Sequence, residues 1–506
     1  MRISNQRYIA HELGDPYIAG IVGWLAGMLQ NQNNIVEEVS PVTSKMEKEV
    51  VKNLATMLGL GSGIWGHLTS GGTPATIEAL WVARNKTYFP YIIAEFASDE
   101  NIDLNSHVLV STKKETLADL ASKAIRNPRL SSDLYEGLNQ VVGKQFSGAK
   151  KKGNEVIKRL WQNYGITGKG WQSANLPVGK VLVSKAAHYS IIKAVDLLGI
   201  GNRNLVQLPV DTNSRLDCEE LRLYLEKGAK LAQGDEKVIA MVANLGTTAT
   251  GSVDPLDQIL AIRNSTESKY QTSFIIHADA AYGGYAGLVD WDSHGLSNGP
   301  ALKRRFEAIS KADSVTIDPH KLGYVPYPCG SVIFRDHRDK EFVKSEAPYL
   351  FHESKPFKSP SLDEIEFLGQ FTMEGSKPGS AATSALLAHK SARLSTGGHG
   401  SLLTKNIKMT RYLEALIDKS EVLAKVNSSE LNILCVRIKN RSGSKEKTVQ
   451  IYRKLLKNHT NGDFVVSHEE NDLFGPCFRI CLLNPFVTKE ILREFVTKLE
   501  SMVEGA

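Results

Sequence analysis

Asp279 and Lys321 stand 42 residues apart, each at the end of a short apolar run. Lys321 closes Ser314-Val-Thr-Ile-Asp-Pro-His-Lys321, a β-branched stretch that stops at Pro319 and presents His320 and Lys321 side by side. Asp279 lies in Phe274-Ile-Ile-His-Ala-Asp-Ala-Ala-Tyr-Gly-Gly284, a second apolar run that ends in a carboxylate. Taken alone, a lysine after a strand is most often a solvated loop residue. An amine and a carboxylate delivered to one edge of an open α/β sheet have a joint use, because ligands bind at that edge. The amine can hold an aldehyde as a Schiff base, and the carboxylate can keep a pyridine nitrogen protonated. Those are the two needs of pyridoxal phosphate.

Two further motifs bear on that reading. In Trp65-Gly-His-Leu-Thr-Ser-Gly-Gly-Thr-Pro-Ala-Thr-Ile-Glu-Ala-Leu80 a glycine turn leads through Thr73 to Pro74 at a first helical position. A helix N-terminus of this kind offers free backbone N–H groups to phosphate, with Gly72 and Thr73 as the contacts. A plain glycine turn capped by Thr73 accounts for an isolated match; its place ahead of the Asp and Lys strands favours phosphate. His188 follows the strand Lys180–Ser184 in His188-Tyr-Ser190 and is either a satisfied structural histidine or a cover for an aromatic cofactor ring.

The elements that must position these residues alternate. Helical spacing runs through Ile18, Ile21, Val22 and Leu25 and again from Met46 to Leu58, predicting a helical segment over residues 1–60 interrupted near Pro41. After the glycine turn, residues 85–175 read as polar insertions or surface helices. Strands are expected at 180–184, 238–243, 274–278, 314–317 and 330–335, with helices at 191–198, 219–230 and 256–265 between them. This predicts an α/β fold with a mostly parallel sheet. The phosphate turn, His188, Thr248, Asp279 and Lys321 all follow predicted strands. Past Glu374-Gly-Ser-Lys-Pro-Gly379 the pattern changes to two helices and strands near 431–438 and 478–483, which places a smaller α+β domain at 380–506 behind a large domain at 61–379.

The bulk numbers exclude little. A chain of 506 residues with 42% hydrophobic and 23% charged residues is ordinary for a globular protein. Net charge is +6, but the basic residues are scattered, and Lys150-Lys151-Lys152 reads as a solvated helix end, so nucleic acid is not favoured. Five cysteines without zinc spacing argue against a disulfide framework or a metal site. The apolar stretch Tyr17–Leu29 is broken by three glycines, too short to cross a bilayer and unlike a signal peptide, so a cytoplasmic location is expected.

Assembled, these residues resemble the group II pyridoxal-phosphate-dependent amino acid decarboxylases, with the aspartate aminotransferase-like fold (fold type I). The resemblance runs through Asn31-Gln-Asn-Asn34, Gly72-Thr73, His188-Tyr-Ser190, His277-Ala-Asp-Ala-Ala-Tyr-Gly-Gly-Tyr-Ala286, Asp318-Pro-His-Lys-Leu-Gly-Tyr-Val-Pro-Tyr327 and Glu374-Gly-Ser-Lys377. The last two segments point toward the tyrosine decarboxylase branch of bacteria. The resemblance implies that Lys321 holds the cofactor aldehyde, His320 helps hold the phosphate and Asp279 binds the pyridinium. It implies His188 and Ala281 on the two ring faces, Gly72 and Thr73 on the phosphate, and Thr248 near the phenolic oxygen. Ser376 would reach the phosphate site of a neighbouring subunit, in a homodimer wrapped by the arm of residues 1–60. Tyr327, or else Tyr324, would return a proton to Cα; the alternative for both is a packed aromatic.

Three departures bear on the substrate: a shortened segment between Asp279 and Lys321, bulkier Ile480 and Cys481, and Pro74 after Gly-Thr. An aromatic L-amino acid is the expected substrate. A glutamate or other amino acid decarboxylase, a lyase of the sphingosine-phosphate type cleaving Cα–Cβ, and a non-catalytic homologue are the alternatives.

Overall fold

The computed structural model describes residues 5–110, 113–231, 236–293, 296, 298–345, 359–439, 444–458, 463–471 and 475–505. Its central sheet has seven strands: β1 (Trp65–Thr69), β2 (Val178–Ser184), β3 (Leu205–Leu208), β4 (Glu236–Asn244), β5 (Ile275–Asp279), β6 (Ser314–Ile317) and β7 (Gly330–Phe334). They are ordered β1-β7-β6-β5-β4-β2-β3. β7 runs antiparallel to both neighbours, and the other pairings are parallel. Every residue of β1, β6 and β7 is buried, as in strands covered on both faces. Asn244 is level with Asp279, and Asp279 with Thr316. That register makes the chain leave β4, β5 and β6 at one edge, which brings the expected site segments together.

Three helices matter for the site: α1 (Ile18–Gln30), α2 (Thr43–Met57) and α3 (Gly72–Asp99). α1 lays Gly20, Gly23 and Gly27 against the helix Ser380–Ala392, where Gly20 O and Gly23 O accept hydrogen bonds from Ser384 Oγ and Thr383 Oγ1, both at 2.7 Å. A Cβ at Gly23 would stand 2.6 Å from Thr383 O, so this close approach requires glycine. The opposite face, with Ile18, Val22, Leu25 and Leu29, is exposed.

Three expectations change. Residues 5–17 are not helical: Tyr8 bridges to Val465, Ile9 N–H donates to Val465 O at 3.0 Å, and Cys481 N–H donates to Ile9 O at 2.9 Å. Strand pairing with a distant partner overrides local spacing here. The 85–175 stretch is no set of surface insertions, because Phe89, Phe96, Val142 and Leu160 pack with Phe342 in a core of their own. β3 escaped the sequence reading, being an edge strand in which only Leu208 is buried.

The C-terminal part carries an antiparallel sheet in the order Leu423–Lys425, Ile433–Ile438, Gly475–Cys481, Ser467–Asn471. A separate apolar cluster, including Leu434, Phe478, Ile480, Phe495 and Leu499, lies under it. Among the described residues no helix is long and apolar enough to cross a membrane.

Candidate functional site

A cavity of about 300 Å³ opens at the carboxyl edge of the sheet, lined among others by Gly72, Thr73, His188, Thr248, Asp279, Ala281, His320 and Lys321. Eight of the expected residues therefore meet around one space. This is where ligands of doubly wound sheets bind.

Lys321 follows β6 through a turn in which its N–H donates to Asp318 O at 3.0 Å. Its Nζ lies 3.5 Å from Asp318 Oδ2 and 3.5 Å from Glu12 Oε2. Burial works against the ammonium, but Glu12, Asp318 and Asp279 outweigh it and hold the amine well above its ordinary value. Asp318 is fully buried, and burial pushes its carboxyl up to about 6 despite Lys321 beside it.

Asp279 ends β5; its Oδ1 accepts a hydrogen bond from Ala281 N–H at 3.2 Å, and its backbone oxygen accepts one from Leu245 N–H at 2.8 Å. His188 sits after β2, its Nδ1 accepting from Ser190 N–H at 3.2 Å. Burial lowers the His188 pKa, Asp279 opposes this and Lys321 adds to it, so the ring is neutral near pH 7. His320 accepts a hydrogen bond from Cys329 N–H at 3.1 Å through Nδ1, and burial together with Lys321 holds its pKa down to about 3.

The floor is the N-terminus of α3. Its first N–H groups have no partner inside the helix, and the helix dipole favours an anion there. A Cβ on Gly72 would stand 3.0 Å from Asp318 Oδ2 and 3.1 Å from Ala281 Cβ, so only glycine leaves this cradle open. Behind it runs a buried charged network. His67 Nε2 meets Glu78 Oε1 at 2.8 Å, and Lys377 Nζ pairs with Glu47 and donates to Leu68 O at 3.1 Å. It ties β1, α2, α3 and the 374–377 segment together.

The remaining expected residues lie off the cavity wall. Tyr327 stacks on His320, and Tyr324 is buried, its hydroxyl donating to Leu483 O at 2.5 Å and accepting from Asn406 Nδ2 at 2.8 Å. Tyr324 thus takes the packed-aromatic place. Ser376 is exposed and accepts from Asn33 Nδ2 at 2.9 Å, outside this cavity. The sequence reading missed Glu12, Asp318, Thr76 and Arg479. Glu12 and Thr76 carry no motif. An arginine inside an apolar strand was a signal for Arg479, since a lone cation is rarely buried without a partner.

The cavity fits a phosphorylated pyridine. Thr76 Oγ1 lines it and is buried without a hydrogen-bond partner, as is Asp318 Oδ1 close by. A helix N-terminus for an anion, a neutral histidine for a ring face, a carboxylate for a protonated nitrogen and an amine for an aldehyde complete the donor set. Comparison with known proteins agrees. The family model described as "Pyridoxal-dependent decarboxylase conserved domain" matches residues 156–439. The chain is 31% identical over 443 residues to the L-tyrosine decarboxylase of Levilactobacillus brevis, covering 83% of this chain and 64% of that one. It is 26% identical over 513 residues to the aspartate 1-decarboxylase of Aliivibrio fischeri, covering 94% and 75%. The chain thus spans less than two thirds of the length of the first of these relatives. Among solved structures, mouse CSAD superposes with a TM-score of 0.69 at 20% identity, covering 99% of this chain and 84% of that one. Oryza sativa TDC, solved with PLP and tryptamine, gives 0.69 at 15% identity, covering 100% and 84%. Those likenesses show fold type I, as the topology does. With a family match over more than half its length and a cavity whose residues suit the cofactor, the chain belongs to the pyridoxal-dependent decarboxylases.

Proposed function

We propose that this protein decarboxylates an L-amino acid with pyridoxal phosphate as cofactor, that the substrate is aromatic, tyrosine or a near relative, and that the product is the amine. The observation that carries this reading is the convergence of Lys321 and Asp279, on neighbouring strand ends, over a helix N-terminus in one cavity. When bound, the cofactor supplies an electron sink for the pair left behind as CO2 departs. Each protein group would then have a task. Lys321 Nζ would hold the cofactor's aldehyde covalently, and Asp279 would keep the pyridine nitrogen protonated. Gly72 and Thr73 would hold the phosphate at the start of α3 with His320, while Ala281 and the neutral His188 would hold the ring and Thr248 would serve its phenolic oxygen. The Tyr327 hydroxyl delivers the proton to Cα.

The aromatic preference is drawn from the similarity to L-tyrosine decarboxylases. The exposed apolar face of α1 supports a homodimer, in which Ser376 would serve the partner's phosphate site. A cytoplasmic location suits five unpaired cysteines. The test is a panel: protein with pyridoxal phosphate is given each common L-amino acid and dopa, and CO2 and amine are quantified. Tyramine or another aromatic amine with matching CO2 supports the proposal. Release from acidic amino acids alone moves the substrate, and no CO2 from any of them removes the decarboxylase reading.

A further inference from the structure

Glu12 comes to the site from outside the sheet. Residues 7–10 run as an added strand beside Val465 and Cys481, and the chain then turns so that the Glu12 carboxylate stands beside the cavity. One oxygen, Oε1, accepts from Arg479 Nη2 at 2.8 Å, and the other, Oε2, lies 3.5 Å from Lys321 Nζ. Arg479 is buried, and four of its five N–H groups are taken. Its Nε donates to Thr248 O at 2.7 Å, its Nη1 to Ala10 O at 3.0 Å and Ser467 Oγ at 3.3 Å, and its Nη2 to Glu12. The cation that could have received a substrate carboxylate is therefore covered by Glu12.

The amine of an amino acid substrate would take the place of Lys321 Nζ, which leaves Glu12 Oε2 within reach of one substituent on its Cα. With the α-carboxylate turned elsewhere, a side-chain hydroxyl or ammonium there finds an acceptor in Oε2, whereas a side-chain carboxylate meets an oxygen whose charge Arg479 offsets only from its far side. We infer that Glu12 reads the substrate side chain, accepting one that brings a hydrogen-bond donor and rejecting one that is anionic. This rests on the decarboxylase reading above and deepens it by giving the substrate a sign of charge.

Product amines test the inference without the α-carboxylate, so only the side chain is read. Tyramine, 1,3-diaminopropane and β-alanine are titrated by calorimetry into the holoenzyme, as wild type, Glu12→Gln and Glu12→Asp. Wild type and Glu12→Asp should bind β-alanine at least about tenfold more weakly than the size-matched 1,3-diaminopropane, and Glu12→Gln should erase that gap while tyramine keeps the contribution of its ring. A 1,3-diaminopropane to β-alanine ratio unchanged in Glu12→Gln overturns the inference, whether or not CO2 is released. So does a uniform fall in kcat across all substrates of Glu12→Gln, which would set Glu12 against the departing carboxylate. Absence of CO2 from every amino acid, with the β-alanine gap present in wild type and lost in Glu12→Gln, would remove the decarboxylase reading and leave the role of Glu12 standing.

Discussion

The rings of His320 and Tyr327 lie one on the other, centroids 3.8 Å apart and planes 29° from parallel. The pair joins a buried histidine on the cavity wall to a tyrosine that is 49% exposed. Tyr327 is therefore held against a residue of the cavity wall, half-buried. Its own hydroxyl pKa is raised to about 12, chiefly by burial, so the proton is in place at neutral pH. Tyr327→Phe keeps the stack and removes only the hydroxyl. Amine formation should fall roughly 100-fold, the size of a lost proton donor, with pyridoxal phosphate binding unchanged. An unaltered amine yield would take Tyr327 out of proton transfer.

Lys321→Ala should abolish steady-state CO2 release while circular dichroism still reports a folded protein. The lysine is also the cation between Glu12 and Asp318. Without it those carboxylates face each other, so the variant should unfold more readily at alkaline pH than the wild type. Residual turnover would refute the anchor role.

Gly72→Ala adds one methyl 3.0 Å from Asp318 Oδ2 and 3.1 Å from Ala281 Cβ, closer than ordinary contact, so these neighbours must give way by a few tenths of an ångström. That adjustment should cost on the order of 1 kcal/mol of stability. Cofactor affinity should drop at least about tenfold, read by equilibrium dialysis of pyridoxal phosphate. Normal retention of the cofactor would show that the α3 N-terminus is not its phosphate site.

Acid should destabilise the fold before its carboxylates are the cause. Burial lowers His277 and His399 to about 4 and His389 to about 3. The unfolded chain takes these protons below its ordinary value of 6.5, so it binds more protons than the fold and stability falls as pH drops from 6.5 toward 4. Asp254 and Asp318 act the other way, because burial raises both to about 6 and the fold binds their protons first. His320, held down to about 3, joins the other histidines, so four histidines oppose two carboxylates and the net loss between pH 7 and pH 5 should be on the order of 5 kcal/mol. Thermal melts of protein without added cofactor check this. His389→Gln should reduce the slope by about one proton, and a rise in melting temperature on acidification would contradict the assignment.

The parallel sheet was legible because buried strands announce themselves as apolar runs, and Asp279 and Lys321 were legible because they end such runs. His188 and Thr248 followed from the same rule, which places chemistry after a strand. The added strand at residues 7–10 was not legible. Its partners are Val465 and Cys481, and no local periodicity reports a pairing across more than 450 residues. Glu12 was lost with it. The core around Phe89 and Phe342 was hidden for the same reason, since Phe342 comes from beyond the Lys321 strand.

The Glu12–Arg479 pair spans 467 residues of chain. As the protein is made, Lys321 and Asp279 emerge well before Arg479, while Glu12 waits unpaired. The cavity waits on the same late meeting, because Arg479 also holds Thr248 O and Cys481 meets the Tyr282 hydroxyl, both on the cavity wall. Contacts of such long sequence separation form slowly. The wall around Lys321 is therefore complete only when the chain's two distant stretches have met.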